Sequence, residues 1–270
     1  MLLALDRGGA SLSSIASMAH PDTADTNAAI WKSAQGISYW KSTAEDRERR
    51  RGEQRRLMAD LLPFGDEEEF TFVDLGAGTG AAARTVLDRY PGARAILADF
   101  SPQMMEEGEK QLAPYQGRYR YVEFDLAQGD WPAEIPASVA AVVSSLSVHH
   151  LPDERKQQLF GEIFSHLAPG GWYLNYDPVT AGDPAVEEAW QRANDRRDPA
   201  AARKRANRTP EEQMRYENHV RHMSPLAPQI GFLRTAGFEA ADVYWKELDY
   251  VIYGGRRPDA QTGSRARARE

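Results

Sequence analysis

The stretch FVDLGAGTGAAARTVL, residues 72–87, decides the fold of this chain. An apolar run enters a turn that holds Gly76, Gly78 and Gly80, and a helical pattern begins immediately afterwards. Small residues let the backbone approach a ligand, and the amino terminus of the helix offers its unpaired N–H groups to that ligand. The stretch therefore predicts a strand, a nucleotide-type cofactor loop and a helix in succession.

Short β-rich runs alternate with longer helical runs along most of the chain, which is typical of βαβ units and a mainly parallel sheet. The last two strands are separated by only a few residues around Glu247–Asp249, so we expect a terminal antiparallel hairpin. A helix is predicted over Asp153–Leu167, ended by Gly170 and Gly171. Further helices are predicted over Ala81–Tyr90, Pro102–Leu112 and Leu226–Ala236. The predicted strands are Phe70–Leu75, Ala93–Asp99, Tyr119–Phe124, Val139–Ser145, Gly171–Tyr176, Phe238–Lys246 and Tyr250–Gly254.

Composition and charge exclude several kinds of chemistry and partner. The chain has 270 residues, of which 41% are apolar and none is cysteine, so disulfides, thiolate nucleophiles and Cys-ligated metals are excluded. The formal charge of −7 gives no overall attraction to nucleic acid or anionic lipid, and the apolar runs are shorter than the roughly 20 residues of a membrane span. We expect a cytoplasmic protein, monomeric or homodimeric, with a small-molecule partner and no membrane or nucleic-acid partner.

Two charged helical segments surround the predicted sheet. The segment 31–62 is expected to cap the domain, and 183–222 is expected to be an inserted lid over the carboxyl ends of the strands. The cap contains RERRRGEQRR, residues 47–56, a type of basic run that usually forms a solvated helix face. The expected boundaries are 1–30 for a mobile extension, 31–256 for a single domain and 257–270 for a disordered tail.

The glycine pattern alone fits two kinds of cofactor. Gly76 to Ala81 also satisfies the dinucleotide pattern G-x-G-x-x-G/A, and Asp99 lies where that pattern expects a ribose-binding acid. However, Asp74 precedes Gly76 by two residues, where a negative charge opposes a pyrophosphate and suits a cationic amino-acid group. Asp125, in Phe-Asp-Leu after the third strand, can accept a hydrogen bond from an adenine amino group. These acids favour a cofactor with amino-acid and adenosine parts.

The fourth strand leads into SSLSVHHLP, residues 144–152, and the next helix leads to LAPGG, residues 167–171. With these motifs in order, the chain resembles the class I S-adenosylmethionine-dependent methyltransferases, strongly over residues 70–180, and within them a generic bacterial small-molecule-type subgroup. The resemblance implies an α/β, Rossmann-like, seven-stranded, mostly parallel sheet of order 3-2-1-4-5-7-6. It also implies that strand seven is antiparallel, that helices cover both faces with helical lid insertions, and that S-adenosylmethionine is the cofactor.

The resemblance further implies roles for individual residues. Asp74 orients the ammonium group of the cofactor, and Asp99 accepts hydrogen bonds from both ribose hydroxyls. The other cofactor contacts it implies are Gly76, Ala77 and Gly78 under the methionine and ribose parts, Phe100 and Met104 beside the adenine, Asp125 and Leu126 at its amino edge, and Ser145 facing the methionyl part. Tyr39, Trp40 and Tyr176 are expected to line the acceptor pocket.

The pair His149-His150 has two interpretations. One imidazole can act as a general base toward the acceptor, or both rings can shape the pocket without proton transfer. Consecutive residues at a strand end point to opposite sides, so only one ring, that of His150 by the resemblance, is expected to face the transferred methyl group. No metal site is predicted, although His219 and His222 are spaced to share one helical face.

Methyl transfer to a small-molecule oxygen, nitrogen or carbon atom is the function that the resemblance implies. An RNA- or protein-modifying methyltransferase is the first alternative, supported by the run at 47–56 and by the Arg-rich stretch Arg196–Arg208. Against it, methyltransferases acting on exocyclic nitrogens of nucleic acids usually carry a D/N-P-P-Y/F tetrapeptide after strand four, where this chain reads Ser-Leu-Ser-Val. The second alternative is a protein that binds S-adenosylmethionine without turnover.

Overall fold

Seven strands form one sheet in the order β3-β2-β1-β4-β5-β7-β6. The computed structural model describes the backbone of residues 44–260 and the side chains from Arg51 onward; the expectations for 1–43, including Tyr39 and Trp40, and for 261–270 lie outside the described residues. Strand β7 pairs antiparallel with both β5 and β6, and all other pairs are parallel. The predicted fold class is therefore confirmed. The strands are β1 (Phe70–Leu75), β2 (Ala93–Asp99), β3 (Tyr119–Glu123), β4 (Val139–Ser145), β5 (Leu167–Pro178), β6 (Glu239–Glu247) and β7 (Tyr250–Arg256).

Helices cover both faces of the sheet. They are α1 (Ala44–Asp60), α2 (Ala81–Arg89), α3 (Pro102–Leu112), α4 (Asp153–His166), α5 (Pro184–Arg197), α6 (Pro199–Ala206), α7 (Pro210–Val220) and α8 (Leu226–Ala236). Local sequence sets their ends: the side chain of Ser101 accepts the N–H of Met104 at the start of α3, and Gly237 ends α8 in the left-handed conformation at φ 104°. Two short 3₁₀ turns, Ala113–Tyr115 and Val148–His150, complete the described helical structure.

Alternation along the strands divides the core in two. Val73 of β1 lies in a cluster with apolar residues of α4 and α8, whereas its neighbour Phe72 lies in a second cluster with residues of α1 and α2. Successive strand side chains point to opposite faces, so each strand contributes to both clusters. This double burial fixes the register and holds the carboxyl ends of β1, β2, β4 and β5 at one edge.

The end of α4 differs from the prediction. The helix ends at His166, and Leu167 already pairs with Val139 of β4, so Gly170 and Gly171 lie within β5 and do not end the helix. Gly170 adopts φ 78° where the pairing of β4 with β5 shifts register, and its N–H donates to the carbonyl of Arg257. A glycine pair can serve a strand irregularity as well as a helix end, and here pairing with the distant β4 decides between them.

Arg257, expected at the start of the tail, is hydrogen-bonded to this same region. Its N–H donates to the carbonyl of Gly171 and its guanidinium donates to the carbonyls of Phe164 and Leu167. These bonds satisfy carbonyls at the end of α4, which the helix itself leaves unpaired. Arg257 therefore belongs to the fold.

Helix α1 also differs in part from the prediction. Arg55, within the basic run, is only 5% exposed, while Met58 and Leu62 pack in the core against α2 and β1. The expectation of a solvated basic face is therefore wrong for Arg55. Over residues 44–260, no helix combines the length and the apolar character needed to cross a membrane.

The insertion 183–222 folds as three helices, α5 to α7, none of which contains a buried residue. Helix α5 lies against the β6–β7 hairpin. Its contacts there are Trp190 under the ammonium of Lys246 at 4.3 Å, Arg197 with Glu247 at 2.6 Å, and Asn194 with Asp249 at 3.0 Å. The insertion thus rests on the sheet edge mainly through polar contacts.

Candidate functional site

The loop between β1 and α2 carries three glycines with positive φ: Gly76 at 64°, Gly78 at 54° and Gly80 at 75°. A Cβ on Gly76 would lie 1.8 Å from Oγ of Ser147, which places the loop in direct contact with the turn after β4. A Cβ on Gly78 would lie 3.2 Å from Cε of Met104. The loop therefore requires glycine both for its backbone conformation and for space.

Asp74, at the end of β1, is buried and one carboxylate oxygen accepts the N–H of Ala83 at 2.9 Å. Burial raises its pKa to about 7; the N–H of Ala83 opposes the shift, the carboxylate of Asp99 adds to it and the charge of Arg55 opposes it. Asp74 thus ties the strand to the first turn of α2.

Asp99, at the end of β2, joins the two loops beside it. One carboxylate oxygen accepts the N–H of Gly78 at 2.7 Å and the other accepts that of Ser101 at 2.8 Å. Burial raises the pKa of Asp99 to about 6, although the N–H groups of Ser101, Gly78 and Phe100 stabilise its charged form. The carboxylate therefore already has a structural role before any ligand is considered.

The remaining predicted cofactor residues lie around the same edge. Met104 is buried in the first turn of α3 and Leu126 is buried after β3, while Phe100 and Asp125 are half-buried. Asp125 closes its own turn, since its carboxylate accepts the N–H of Ala127 at 2.9 Å. Its charge also raises the pKa of Asp99, which places the two acids near each other.

The turn after β4 is held by unusual backbone geometry. Half-buried Ser145 ends the strand, and Leu146 follows with φ 61°, its N–H donating to the carbonyl of Tyr176 at 2.8 Å. A non-glycine residue in this conformation is costly and persists only where its surroundings fix it. The hydrogen bond to β5 and the contact of Ser147 with Gly76 supply that fixation.

His149 is bound twice by Asp177, the second-last residue of β5. The N–H of His149 donates to one carboxylate oxygen at 2.8 Å, and Nδ1 lies 2.7 Å from the other. Asn175 also donates to Asp177, at 3.1 Å, so this carboxylate acts as an acceptor throughout. The proton of the His149 ring is therefore on Nδ1, and Nε2 carries the lone pair. Sequence reasoning missed Asp177. Its position, as an acid directly after the predicted strand Gly171–Tyr176, could have indicated a site residue.

The two adjacent histidines do not point to opposite sides. They lie on a 3₁₀ turn, where their ring centroids are 3.9 Å apart, and the ring of His219 from α7 lies 4.8 Å from His149 and 5.2 Å from His150. The expectation based on strand alternation was wrong because the strand ends before the pair. His219 therefore groups with His149 and His150: one ring nitrogen of each lies within 4.8 Å of the others. His222, which is spaced to share a helical face with His219, is not part of this group.

All three imidazoles are held neutral. Burial lowers the pKa of His149 to about 3, and the charges of Lys156 and Arg51 lower it further. Burial, with lesser contributions from its histidine neighbours, holds the pKa of His150 well below its usual value, and partial burial against the other two rings lowers that of His219 to about 4. These rings are weak bases, and each neutral imidazole carries a lone pair on one ring nitrogen.

A buried lysine connects this site to the end of the insertion. Lys156 of α4 is 0% exposed, and its ammonium donates to Asp153 at 2.9 Å, to the carbonyl of His222 at 2.6 Å and to Ser224 at 2.8 Å. Every proton of the ammonium thus has a partner, which burial of the charge requires. Sequence reasoning missed this residue, which nothing distinguishes from the surface lysines.

Tyr176, expected in the acceptor pocket, is buried on the opposite face of β5 from Asp177. Its ring lies 6.3 Å from that of Trp245 and 5.8 Å from that of Tyr250. Burial raises its pKa. The structure therefore places Tyr176 in the core beside β6 and β7, and its role in the acceptor pocket stays a prediction.

Comparison with known proteins identifies a methyltransferase domain in this chain. A family profile described as a methyltransferase domain matches residues 72–171, from β1 into β5. The trans-aconitate 2-methyltransferase of Azoarcus sp. strain BH72 is 31% identical over 137 residues, which cover 49% of this chain and 49% of that protein. The mitomycin biosynthesis 6-O-methyltransferase of Streptomyces lavendulae is 26% identical over 169 residues, covering 60% and 47%. The chain spans about half the length of these curated relatives.

Solved structures share the fold. An O-methyltransferase family protein from Burkholderia thailandensis superposes with a TM-score of 0.62 at 17% identity, covering 87% of this chain and 63% of that one. Human N-acetylserotonin methyltransferase, solved with S-adenosylmethionine, gives 0.60 at 16% identity, covering 88% and 60%. Residues 72–171 match a methyltransferase domain, and this match, the relatives and the strand order together support a class I S-adenosylmethionine-dependent methyltransferase, a class whose cofactor is S-adenosylmethionine.

Proposed function

We propose that this protein transfers a methyl group from S-adenosylmethionine to a small-molecule acceptor by in-line displacement at the sulfonium. The observation that carries the proposal is the contact between the glycine loop and the turn after β4, with helix α7 lying against the same turn. This arrangement brings the glycine loop and the histidines to one edge of the sheet, beside helix α7. A site between the glycine loop and α7 suits a small acceptor better than a long polymer.

The cofactor residues are proposed from their positions. The loop from Gly76 to Gly78 lets the backbone come close to the methionine and ribose parts. Asp99 accepts the ribose hydroxyls; its two oxygens offer about four lone-pair directions, so it can accept from ligand and backbone together. Asp74 keeps the ammonium group in place. Met104, against Gly78, lies where an adenine ring needs an apolar neighbour.

Positioning, not proton abstraction, is the proposed source of rate. A general base works best with a pKa near the working pH, and burial holds the pKa values of His149 and His150 far below it. The low values support the interpretation in which these rings shape the acceptor pocket. In-line placement of an acceptor beside an activated methyl group can itself supply roughly 7–11 kcal/mol of the barrier.

The alternatives have less support. The buried Arg55 removes one charge from the basic surface that an RNA-modifying enzyme would use, and residues 145–148 lack the tetrapeptide of exocyclic-nitrogen methyltransferases. The acceptor atom stays open among oxygen, nitrogen and carbon; the O-methyltransferase among the relatives makes hydroxyl compounds the first to test. A cytoplasmic location and a monomeric or homodimeric state stay predictions.

Calorimetry followed by turnover tests the proposal. We expect S-adenosylhomocysteine to bind at one site per chain and NAD not to compete. We then expect release of S-adenosylhomocysteine from S-adenosylmethionine when a panel of small hydroxyl, amine and carboxylate compounds is supplied. Tight binding with no release on any acceptor would support the non-catalytic alternative, and salt-dependent retention on RNA would support the RNA-modifying one. Binding of NAD in place of S-adenosylhomocysteine would refute the proposal.

A further inference from the structure

We propose that His149, His150 and His219 bind one divalent transition-metal ion of the zinc class. Each residue offers one ring nitrogen, and the three nitrogens lie within 4.8 Å of one another. Neighbouring nitrogens around tetrahedral zinc, at Zn–N distances of about 2.0–2.1 Å, are roughly 3.3 Å apart. Side-chain rotations that bring the nitrogens together by about 1.5 Å would therefore complete the site.

The orientation of His149 supports this inference independently of the spacing. Its Nδ1 donates to Asp177, and its Nε2 is buried with no hydrogen-bond partner in the described part of the chain. A buried nitrogen without a partner is costly and needs a reason. Metal-bound histidines commonly donate their second ring nitrogen to a carboxylate, which fixes the tautomer and makes the first nitrogen a better ligand.

The charged groups around the cluster are compatible with a bound cation. Asp177 and the neutral rings offer a carboxylate and three lone pairs. Lys156 and Arg51 lie near enough to lower the pKa of His149. The ammonium of Lys156 is, however, already paired with Asp153. Imidazole nitrogens are typical ligands of zinc, copper, iron and nickel, whereas magnesium and calcium prefer oxygen. The cluster therefore favours a transition metal.

The position of the cluster gives the ion a place in the fold. His219 comes from α7 and the other two ligands from the turn after β4, so an ion would fasten the insertion to the sheet edge. Three protein ligands leave one position of a tetrahedral ion for water or for an oxygen atom of an acceptor. The turn that carries His149 and His150 also carries Ser147, which contacts the glycine loop. The site itself does not depend on the proposed methyl transfer.

The inference is tested with cobalt and zinc on the full chain, without a histidine tag and after treatment with a chelator. We expect one Co²⁺ per chain, with the visible absorption of a tetrahedral nitrogen-ligated ion, displaced by one equivalent of Zn²⁺. His219→Ala removes a ligand from a helix with no buried residue and should therefore fold; it should weaken binding at least about 100-fold, since a ligand matters at least as much as the residues that orient ligands. His150→Ala should do the same.

His222→Ala and His166→Ala are the matched controls, because both remove an imidazole outside the cluster, and both should bind Co²⁺ as the unaltered chain does. Asp177→Asn, checked for folding by circular dichroism, should weaken binding about 10–100-fold through the orientation of His149. Failure of the unaltered chain to bind, or equal affinity in His219→Ala, would overturn the proposal. Binding of S-adenosylhomocysteine is measured on the same samples, so an unaltered chain that binds S-adenosylhomocysteine but no metal contradicts only the metal site.

Discussion

Replacing Asp99 with alanine should cost both stability and cofactor affinity. The carboxylate accepts the N–H of Gly78 at 2.7 Å and that of Ser101 at 2.8 Å, and alanine leaves both donors without it. A buried donor left unpaired costs about 1–3 kcal/mol, and removal of a buried charge returns part of that cost. Its pKa, raised to about 6, indicates that burial of this charge is itself unfavourable. We expect the free energy of unfolding to fall by about 2–4 kcal/mol.

The affinity for S-adenosylhomocysteine should fall in the same variant. Two charge-assisted hydrogen bonds to the ribose would be lost, which corresponds to roughly 2–3 kcal/mol or about 30–150-fold in Kd. Urea unfolding measures the first effect and calorimetry at a temperature where the variant is folded measures the second. Glu123→Ala, an exposed acid on the neighbouring strand, is the control and should change neither quantity. An Asp99→Ala protein with unaltered stability and affinity would refute this account of the carboxylate.

Three further predictions follow from the same contacts. Gly76→Ala should abolish S-adenosylhomocysteine binding, because the added Cβ would lie 1.8 Å from Oγ of Ser147. A second substitution in the same chain, Ser147→Gly, should restore part of the binding. Absence of any rescue would contradict the contact. Lys156→Met should lower the free energy of unfolding, measured in urea, by about 2 kcal/mol, which is less than the loss expected for a fully buried ion pair because Asp153 is partly exposed. The same variant should speed amide exchange at Met223 and Ser224. Unchanged exchange would mean that the ammonium does not hold the insertion. The calorimetric affinity for S-adenosylhomocysteine should fall as pH drops through 7 and 6, where Asp74 and Asp99 take up protons, and a flat profile would contradict the raised pKa values.

These two acids also set the sign of one pH effect on stability. Both have folded-state pKa values above the ordinary aspartate value of 3.8, so the folded chain binds their protons more tightly than the unfolded chain. Their contribution to the free energy of unfolding is therefore largest below pH 4 and is lost as pH rises through 6 and 7. Cofactor affinity and the stability of the unliganded protein should consequently respond to pH in opposite directions.

Local patterns in the sequence predict most of the fold. The glycine loop, the start of α3 at Pro102 and the end of α8 at Gly237 depend on residues within one turn of themselves, and the structure confirms them. The predicted end of α4 was wrong because Leu167 pairs with Val139, 28 positions earlier in the chain. No local signal distinguishes a glycine pair that ends a helix from one at a strand irregularity.

The candidate site was less predictable for the same reason. The acids at the ends of β1 and β2 follow from the order of the strands, but the partners of His149 and Lys156 come from distant segments. Asp177 reaches His149 from β5, and Ser224 reaches Lys156 across 68 positions. The approach of His219 depends on how the insertion folds back, which the alternating charges of α7 do not indicate.

A crystal structure with S-adenosylhomocysteine bound tests the central claim most directly. We predict both ribose hydroxyls at about 2.5–2.8 Å from the carboxylate of Asp99, as charge-assisted O–H···O bonds require. The sulfur should face the turn from Ser145 to His150, with the empty space beyond it bounded by α7. A ligand bound at another edge of the sheet, or with its sulfur directed away from this turn, would contradict the proposed site.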